Sequence, residues 1–215
     1  MIPLQFALRR RMMMAGGGGA PISELPLGTL INVGTDGGAG TPNYEIADKD
    51  NLVSGGVVLV RKEIYSESKF GWGTKYPDSI LDNLIKTTIY NKMPQELRDK
   101  MLDVTFYLWG SGDITRKIFA LTYTMAGIGS TIIEGKALQL YTSNASRIKN
   151  FKGAAGLWWA SSRSNAEYSA VILTDGTNSF RLPDTFAGVV PTFAIPADTA
   201  YDLAPNTDGS YNLIL

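Results

Sequence analysis

The stretch GAAGLWWASSRS, Gly153–Ser164, sets two adjacent tryptophans among glycine, alanine and serine. Read as a strand, it sends Trp158 and Trp159 to opposite faces, because strand side chains alternate with a period of two. One ring then fills a core, and the other requires a second layer of the protein, or a partner, against it. Small neighbours leave room for both rings. The pattern predicts a central strand with one ring in the core and the other beneath loops on the opposite face. A stacking platform for a sugar or peptide is the competing reading, and it makes Trp158, Trp159 and nearby Arg163 the candidate ligand-binding residues.

Working outward, 215 residues suffice for one main domain with appendages. Apolar content of 44% is globular, and 20 basic residues balance 20 acidic ones, so no global field recruits nucleic acid or an anionic membrane. No apolar run approaches the ~18 residues of a membrane span. The chain has no cysteine and no histidine. Disulfides, thiolate nucleophiles, cysteine-based metal sites, the usual general base near neutral pH and most transition-metal sites are thereby excluded. Carboxylate and lysine chemistry remain, and no cofactor is expected.

The opening MIPLQFALRRRMMMAGGGGAP places its charge after its first apolar run, the reverse of a secretory signal. Gly16–Gly19 form a flexible joint. Residues 1–19 therefore read as an anchor segment and linker, 20–199 as the domain, and 200–215 as a C-terminal hairpin around Asp208 and Gly209. A solvated tail is the bland reading of the first segment. Ile2, Leu4, Phe6, Leu8, Arg9, Arg10, Arg11, Met12, Met13 and Met14 are its candidate partner-anchoring residues, since apolar and adaptable side chains suit docking onto a partner.

GTLINV, YEIADKDN and the β-branched GGVVLVRKEI read as strands. Asp48–Asn51, DKDN, resembles the start of a calcium loop, but it lacks the glycine at position six in register and the bidentate glutamate at position twelve, so a solvated hairpin turn competes with it. In YPDSILDNLIKTTIYNKM, Ile80, Leu81, Leu84, Ile85 and Ile89 recur at helical spacing, with Asp78 or Ser79 available as cap. A second helix starts with Pro94 at its first position, carries Leu97, Met101 and Leu102 on its apolar face, and can pair Glu96 with Lys100. KIFALTY, LWWAS, YSAVIL and SFRL are further strands, MAGIGS is a turn, and TDGTN joins the last two strands as a hairpin. Strands, two helices, then more strands predict an α+β domain with mainly antiparallel sheets.

In series, LPLGTLINV, KIFALTY, the stretch ending SRI, GLWWASS, TDGT and VVPTFAIP resemble an uncharacterised family of bacterial and phage domains. Its members read K-x-F-L-L-S, S-x-R-I, W-W-L-R-S-P and V-R-P-A-F-x-L in that order, and the similarity spans about Leu25 to Pro196. The resemblance implies a C-type-lectin-like fold, in which two helices flank antiparallel sheets and long loops carry binding. Ser161 and Val190 stand where the family's motifs carry arginine, so any binding role of those arginines does not transfer. Arg147 keeps the family's arginine, with a structural ion pair as its expected role. The same fold includes calcium-dependent sugar binders, whose loop strings are missing here, and an enzyme that needs two cysteines of its own.

The expected function is a non-enzymatic phage virion protein: a decoration, fibre or receptor-contacting component attached through its N-terminal segment to other virion proteins. A homo-oligomer and a host surface glycan or protein are further partners of this reading. A bacterial surface or secreted adhesin is the alternative. An enzyme would need paired carboxylates, and Glu63, Glu67, Asp78, Asp175 and Asp184 are scattered over turns and helix starts.

Overall fold

The computed structural model describes residues 19–71, 75–164 and 167–215. Five strands open the chain: β1 (Ala20–Pro21), β2 (Leu30–Asn32), β3 (Asn43–Lys49), β4 (Gly56–Arg61) and β5 (Ser66–Ser68). After the helices come β6 (Val104–Leu108), β7 (Gly112–Arg116), β8 (Ile118–Ala120), β9 (Lys149–Phe151) and β10 (Ala154–Gly156). The last third holds β11 (Trp158–Arg163), β12 (Ser169–Ile172), β13 (Asn178–Arg181), β14 (Ala187–Val189), β15 (Pro191–Pro196), β16 (Ala200–Tyr201) and β17 (Tyr211–Ile214). The fold is α+β and dominated by antiparallel sheet, as the alternation of strand and turn signals predicts.

An eight-stranded sheet runs β1-β16-β17-β2-β3-β4-β15-β8, and a five-stranded sheet runs β13-β12-β11-β14-β5. Ribbons β6–β7 and β9–β10 stand apart from both. Pairing is antiparallel except between β17 and β2 and between β11 and β14. Val57, Val58, Leu59 and Val60 are all buried, which explains why β4 lacks alternation: both of its faces are covered. Tyr44 on β3 and Phe193 on β15 meet across it with ring centroids 5.0 Å apart. Beyond β17, the predicted hairpin 200–215 is held on both sides, by β1 pairing with β16 and β2 with β17.

Ser79 is the cap of the first helix, its Oγ accepting the Asp82 backbone N–H at 2.9 Å. The helix runs Ile80–Asn83, then a π-helical stretch Leu84–Ile89, then a last turn Tyr90–Lys92. The wider π turn favours a repeat of about four residues, so Leu81, Ile85 and Ile89 form the buried stripe. Ile80, predicted on that stripe, is turned out and 54% exposed. Pro94 caps the second helix, Gln95–Lys100, rather than occupying its first turn, and Leu97 and Met101 bury its inner face. The helical layer is tied to the large sheet by Leu102 N donating to Ala194 O (2.9 Å) and Ala120 N donating to the Tyr76 hydroxyl (2.8 Å). No described helix is long and apolar enough to cross a membrane.

Candidate functional site

Register fixes the two faces of β11. Trp158 lies opposite Ile172, which lies opposite Asn178, whereas Trp159 lies opposite Val171 and then Ser179. On the Trp158 face the indole N–H donates to Arg147 O at 3.0 Å, at the end of a short helix, Asn144–Arg147. Tyr123 covers the same face, 5.7 Å from the Phe180 ring. The Trp159 indole N–H donates to Ser68 O at 2.7 Å, and its ring meets the edge of Phe70 at 5.6 Å. Both tryptophans are fully buried. The expected second layer is present, and it corrects the platform reading: neither indole offers a face to a ligand, because a separate loop layer covers each one.

The rest of the motif fastens the five-stranded sheet to the large one. Ser161 donates from N to Leu121 O (2.8 Å) and from Oγ to Ala120 O (2.9 Å). Ser162 Oγ accepts Tyr123 N at 2.8 Å and donates to the Glu134 carboxylate. Val190, at the second lost arginine, is fully buried. Arg147 corrects a second expectation. Its guanidinium is buried among carbonyls, donating to Ala126 O (2.5 Å) and Gly127 O (2.6 Å) and to Asn144 Oδ1 (2.7 Å), so it joins loops rather than forming an ion pair. That junction also explains the Asp-Gly turn. Gly176 has φ 78°, and a Cβ there would fall 1.8 Å from Asn144 O. Arg163 sits half-buried at the rim, 5.8 Å over the Phe70 ring.

The buried carboxylates, of which sequence reasoning singled out only Asp48, are each committed to several donors. Asp36 accepts Arg61 Nε at 2.6 Å and the Tyr44 hydroxyl at 3.1 Å. Burial, then the Asp36 charge, holds the Tyr44 phenol well above its usual range. Glu45 accepts Lys149 Nζ, the Tyr141 hydroxyl at 3.0 Å and Lys62 Nζ at 3.3 Å. Burial alone would raise Glu45, but the Lys149 and Lys62 charges and these hydrogen bonds outweigh it and hold the carboxyl below its usual value. Asp82 is gripped by Arg116 through two bonds, 3.0 and 2.9 Å, and by Lys86 at 2.9 Å. Asp48 accepts Leu52 N (2.7 Å), Gln139 N (3.2 Å) and Asn51 Nδ2 (3.2 Å), so DKDN is a loop fastening in this fold.

The carboxylates weighed for catalysis are not brought together. Glu67, Asp78, Asp175 and Asp184 are exposed at separate places, Glu63 is half-buried, and Asp175 Oδ1 caps its own turn through Thr177 N at 2.9 Å. Among the described residues, no three Asp or Glu side chains converge as a metal-ligand set.

What the structure does expose is a set of side chains spaced around the rim of the five-stranded sheet, Phe180 on edge strand β13 and Phe186 beside the opposite edge strand β5. Phe186 is 60% exposed with Lys69 Nζ 5.4 Å from its ring, and Phe180, Leu182 and Tyr168 are exposed beside the strands that carry Arg163 and Arg181. The sequence signal was available in NSFRL, where a strand beside an Asp-Gly turn sends Phe180 to the face opposite Ser179 and Arg181. The anchoring candidates Ile2, Leu4, Phe6, Leu8, Arg9–Arg11 and Met12–Met14 lie outside the described residues.

A family model for a domain of unknown function, DUF6273, matches residues 55–197, two thirds of the chain. The chain belongs to the DUF6273 family. No curated protein and no solved structure matches it. The DUF6273 region comprises the helices, the whole five-stranded sheet and β4, β15 and β8 of the large sheet. The five strands outside it are contiguous, β1-β16-β17-β2-β3, and form a wing that joins the DUF6273 region where β3 pairs with β4.

Proposed function

We propose that the chain is a non-enzymatic structural protein of a phage particle, a decoration, fibre or receptor-contacting component whose DUF6273 region is a C-type-lectin-like display domain. Two helices beside antiparallel sheets, with binding surface on loops and strand ends, support that fold reading. One observation carries the functional reading: the buried carboxylates are committed to internal donors, while aromatic and cationic side chains stand exposed around the rim of the five-stranded sheet, with Lys69 over the Phe186 ring. Such a molecule is suited to holding a partner, because stacking and cation–π contacts need exposed rings and no titrating group. Attachment falls to the N-terminal segment, whose apolar residues and Arg9–Arg11 would meet other virion proteins. The rim would meet a host surface glycan or protein.

The test is incorporation. Phage particles assembled in cells supplying either the full chain or a chain beginning at Ala20 are purified and examined by mass spectrometry. The full chain is expected in the particle, and the shortened chain is expected to fold yet be absent from it. Equal incorporation would remove the attachment role, and absence of both from particles, with the full chain found on the bacterial surface, would favour an adhesin.

A further inference from the structure

Register sets two arginines on one face of the five-stranded sheet. Arg163 on β11 lies directly opposite Ser169 on β12, and Ser169 lies directly opposite Arg181 on β13. Paired residues share a face, so the three form a row across the strands. Contacts at both ends of the row agree. Arg163 Cζ stands 5.8 Å over the ring of Phe70, which itself meets Trp159, and Arg181 Nη1 donates at 2.9 Å to Oγ of Ser179, the residue in line with Val171 and Trp159. The row therefore belongs to the Trp159 face. Neighbouring strands lie ~4.7–4.9 Å apart, which puts the two arginine Cα atoms about 10 Å from each other with the small serine between them. At that spacing two extended guanidinium groups can meet over the middle strand.

The serine supplies a second, independent observation. Ser169 is fully buried, and its Oγ has no hydrogen-bond partner. A buried hydroxyl left in that state costs stability that alanine would not. Partial burial also pulls the Arg163 guanidinium down from its usual pKa, and a neighbouring anion would reverse that shift. Among the described residues Arg181 meets no carboxylate: Nη1 donates to the neutral acceptors Ser179 Oγ and Phe180 O, each at 2.9 Å. An unused O–H between two guanidinium groups is a set of donors carrying positive charge, and its complement is a group with several acceptor oxygens and negative charge.

We propose that the row Arg163–Ser169–Arg181 is an oxyanion site, which takes a carboxylate or phosphate group of an acidic surface polymer. The oxyanion sits over Ser169, accepts its O–H, and is clamped from the two sides by N–H groups of Arg163 and Arg181. Arg181 exchanges two neutral acceptors for a charged one, the stronger kind of partner for a guanidinium. The inference deepens the display reading and rests on it for the place where the polymer is met, while the site itself belongs to the isolated chain.

The test is calorimetric titration of the full chain with oligogalacturonate, which offers carboxylates, with short-chain polyphosphate, which offers phosphates, and with neutral dextran oligomers. At least one acidic probe is expected to bind and dextran is not, and the preferred acidic probe identifies the oxyanion. Affinity for that probe is expected to fall about ten-fold or more in Arg181→Gln, several-fold in Ser169→Ala, and further as salt is raised. Ser169→Ala separates the site from the scaffold, because removing an unpartnered hydroxyl should leave the unfolding midpoint unchanged or higher while binding is lost. The proposal is overturned if neither acidic probe binds, if both variants bind as well as the unsubstituted chain, which would mean general charge attraction only, or if Ser169→Ala lowers the midpoint by several degrees, which would mean the fold already uses the hydroxyl. Failure here in a chain that still enters phage particles would leave the virion reading standing, and binding by a chain absent from particles would leave the site standing without it.

Discussion

Between residues 55 and 197 the core is built from large rings: Trp158, Trp159, Phe70, Tyr76 and Phe119 are all buried, with loops and helices covering both faces of β11. The wing buries less apolar bulk, chiefly Ile22, Ile31, Tyr44 and Ile46, and sets two carboxylates, Asp36 and Glu45, into the seam against bases of the DUF6273 region. The difference teaches how a wing outside the family region is held. Its strands supply the ladder from β3 to β4, and Asp36 and Glu45 find their basic partners, Arg61 and Lys149, across the boundary, so the ion pairs fix the wing to one partner and one register. Removing either side leaves a buried charge alone, which is costly; removing both together is not.

The largest effects belong to the ring-built core. Trp158→Ala and Trp159→Ala are each expected to cost about 3–5 kcal/mol in urea unfolding. A loss below ~1 kcal/mol for either would put that ring at the surface and break the contrast with the wing. At the seam, Glu45→Gln strands the Lys149 ammonium and is expected to cost about 3 kcal/mol or more, whereas Glu45→Leu combined with Lys149→Met recovers most of that loss. If the double variant were as unstable as the single one, the pair would be supplying stability itself rather than register.

Titration separates the two regions more gently. Glu45, in the wing, has its carboxyl held below the ordinary value, so its contribution is present above the unfolded pKa of about 4.3 and is lost as pH falls through the folded value. Tyr44, Tyr76, Tyr123 and Tyr141 are shifted the other way, chiefly by burial, with Tyr123 pushed up to about 12. Their contribution is whole below pH ~10 and is lost as pH rises through the folded values. Stability is therefore expected to form a plateau that falls at both ends, and fewer than ten tyrosines should ionise near pH 11 before unfolding, read as absorbance at 295 nm. Ionisation of all ten while the chain stays folded would contradict the burial of these four. The smallest effect is expected at the rim. Phe186→Ala should change stability by no more than about 0.5 kcal/mol while reducing binding to host cells, and unchanged binding would move the contact surface elsewhere, with the exposed Tyr107 and Trp109 of the β6–β7 ribbon next to be tested.

Local chemistry made much of the fold legible. The β-branched run of β4, the Asp-Gly turn between β12 and β13, the Ser79 cap and the sheet-forming Trp-Trp strand follow from periodicity and turn preference. The π-helical stretch did not, because one wider turn rotates the stripe and exposes Ile80 without altering the apolar spacing enough to betray it. The seam was illegible for a different reason: Glu45 and Lys149 are 104 residues apart, and nothing local distinguishes a buried carboxylate from a solvated one. Arg147 was legible as structural but not as a clamp on carbonyls, since its partners Ala126 and Gly127 offer only backbone. Of the candidate ligand residues, Arg163 is half-buried with its guanidinium over the Phe70 ring, and the tryptophans are fully buried, because two layers were available to cover them.

The most direct test of the claim that wing and DUF6273 region are fixed together is native-state hydrogen exchange on the full chain. Amides of β2, β3 and β17 are expected to exchange through the same opening as those of β4 and β15, and Arg61→Ala, which strands Asp36, should lower protection in both groups together. Wing amides that open well below the free energy of β4 and β15, and that alone respond to Arg61→Ala, would show the wing to be a separable appendage and contradict the account.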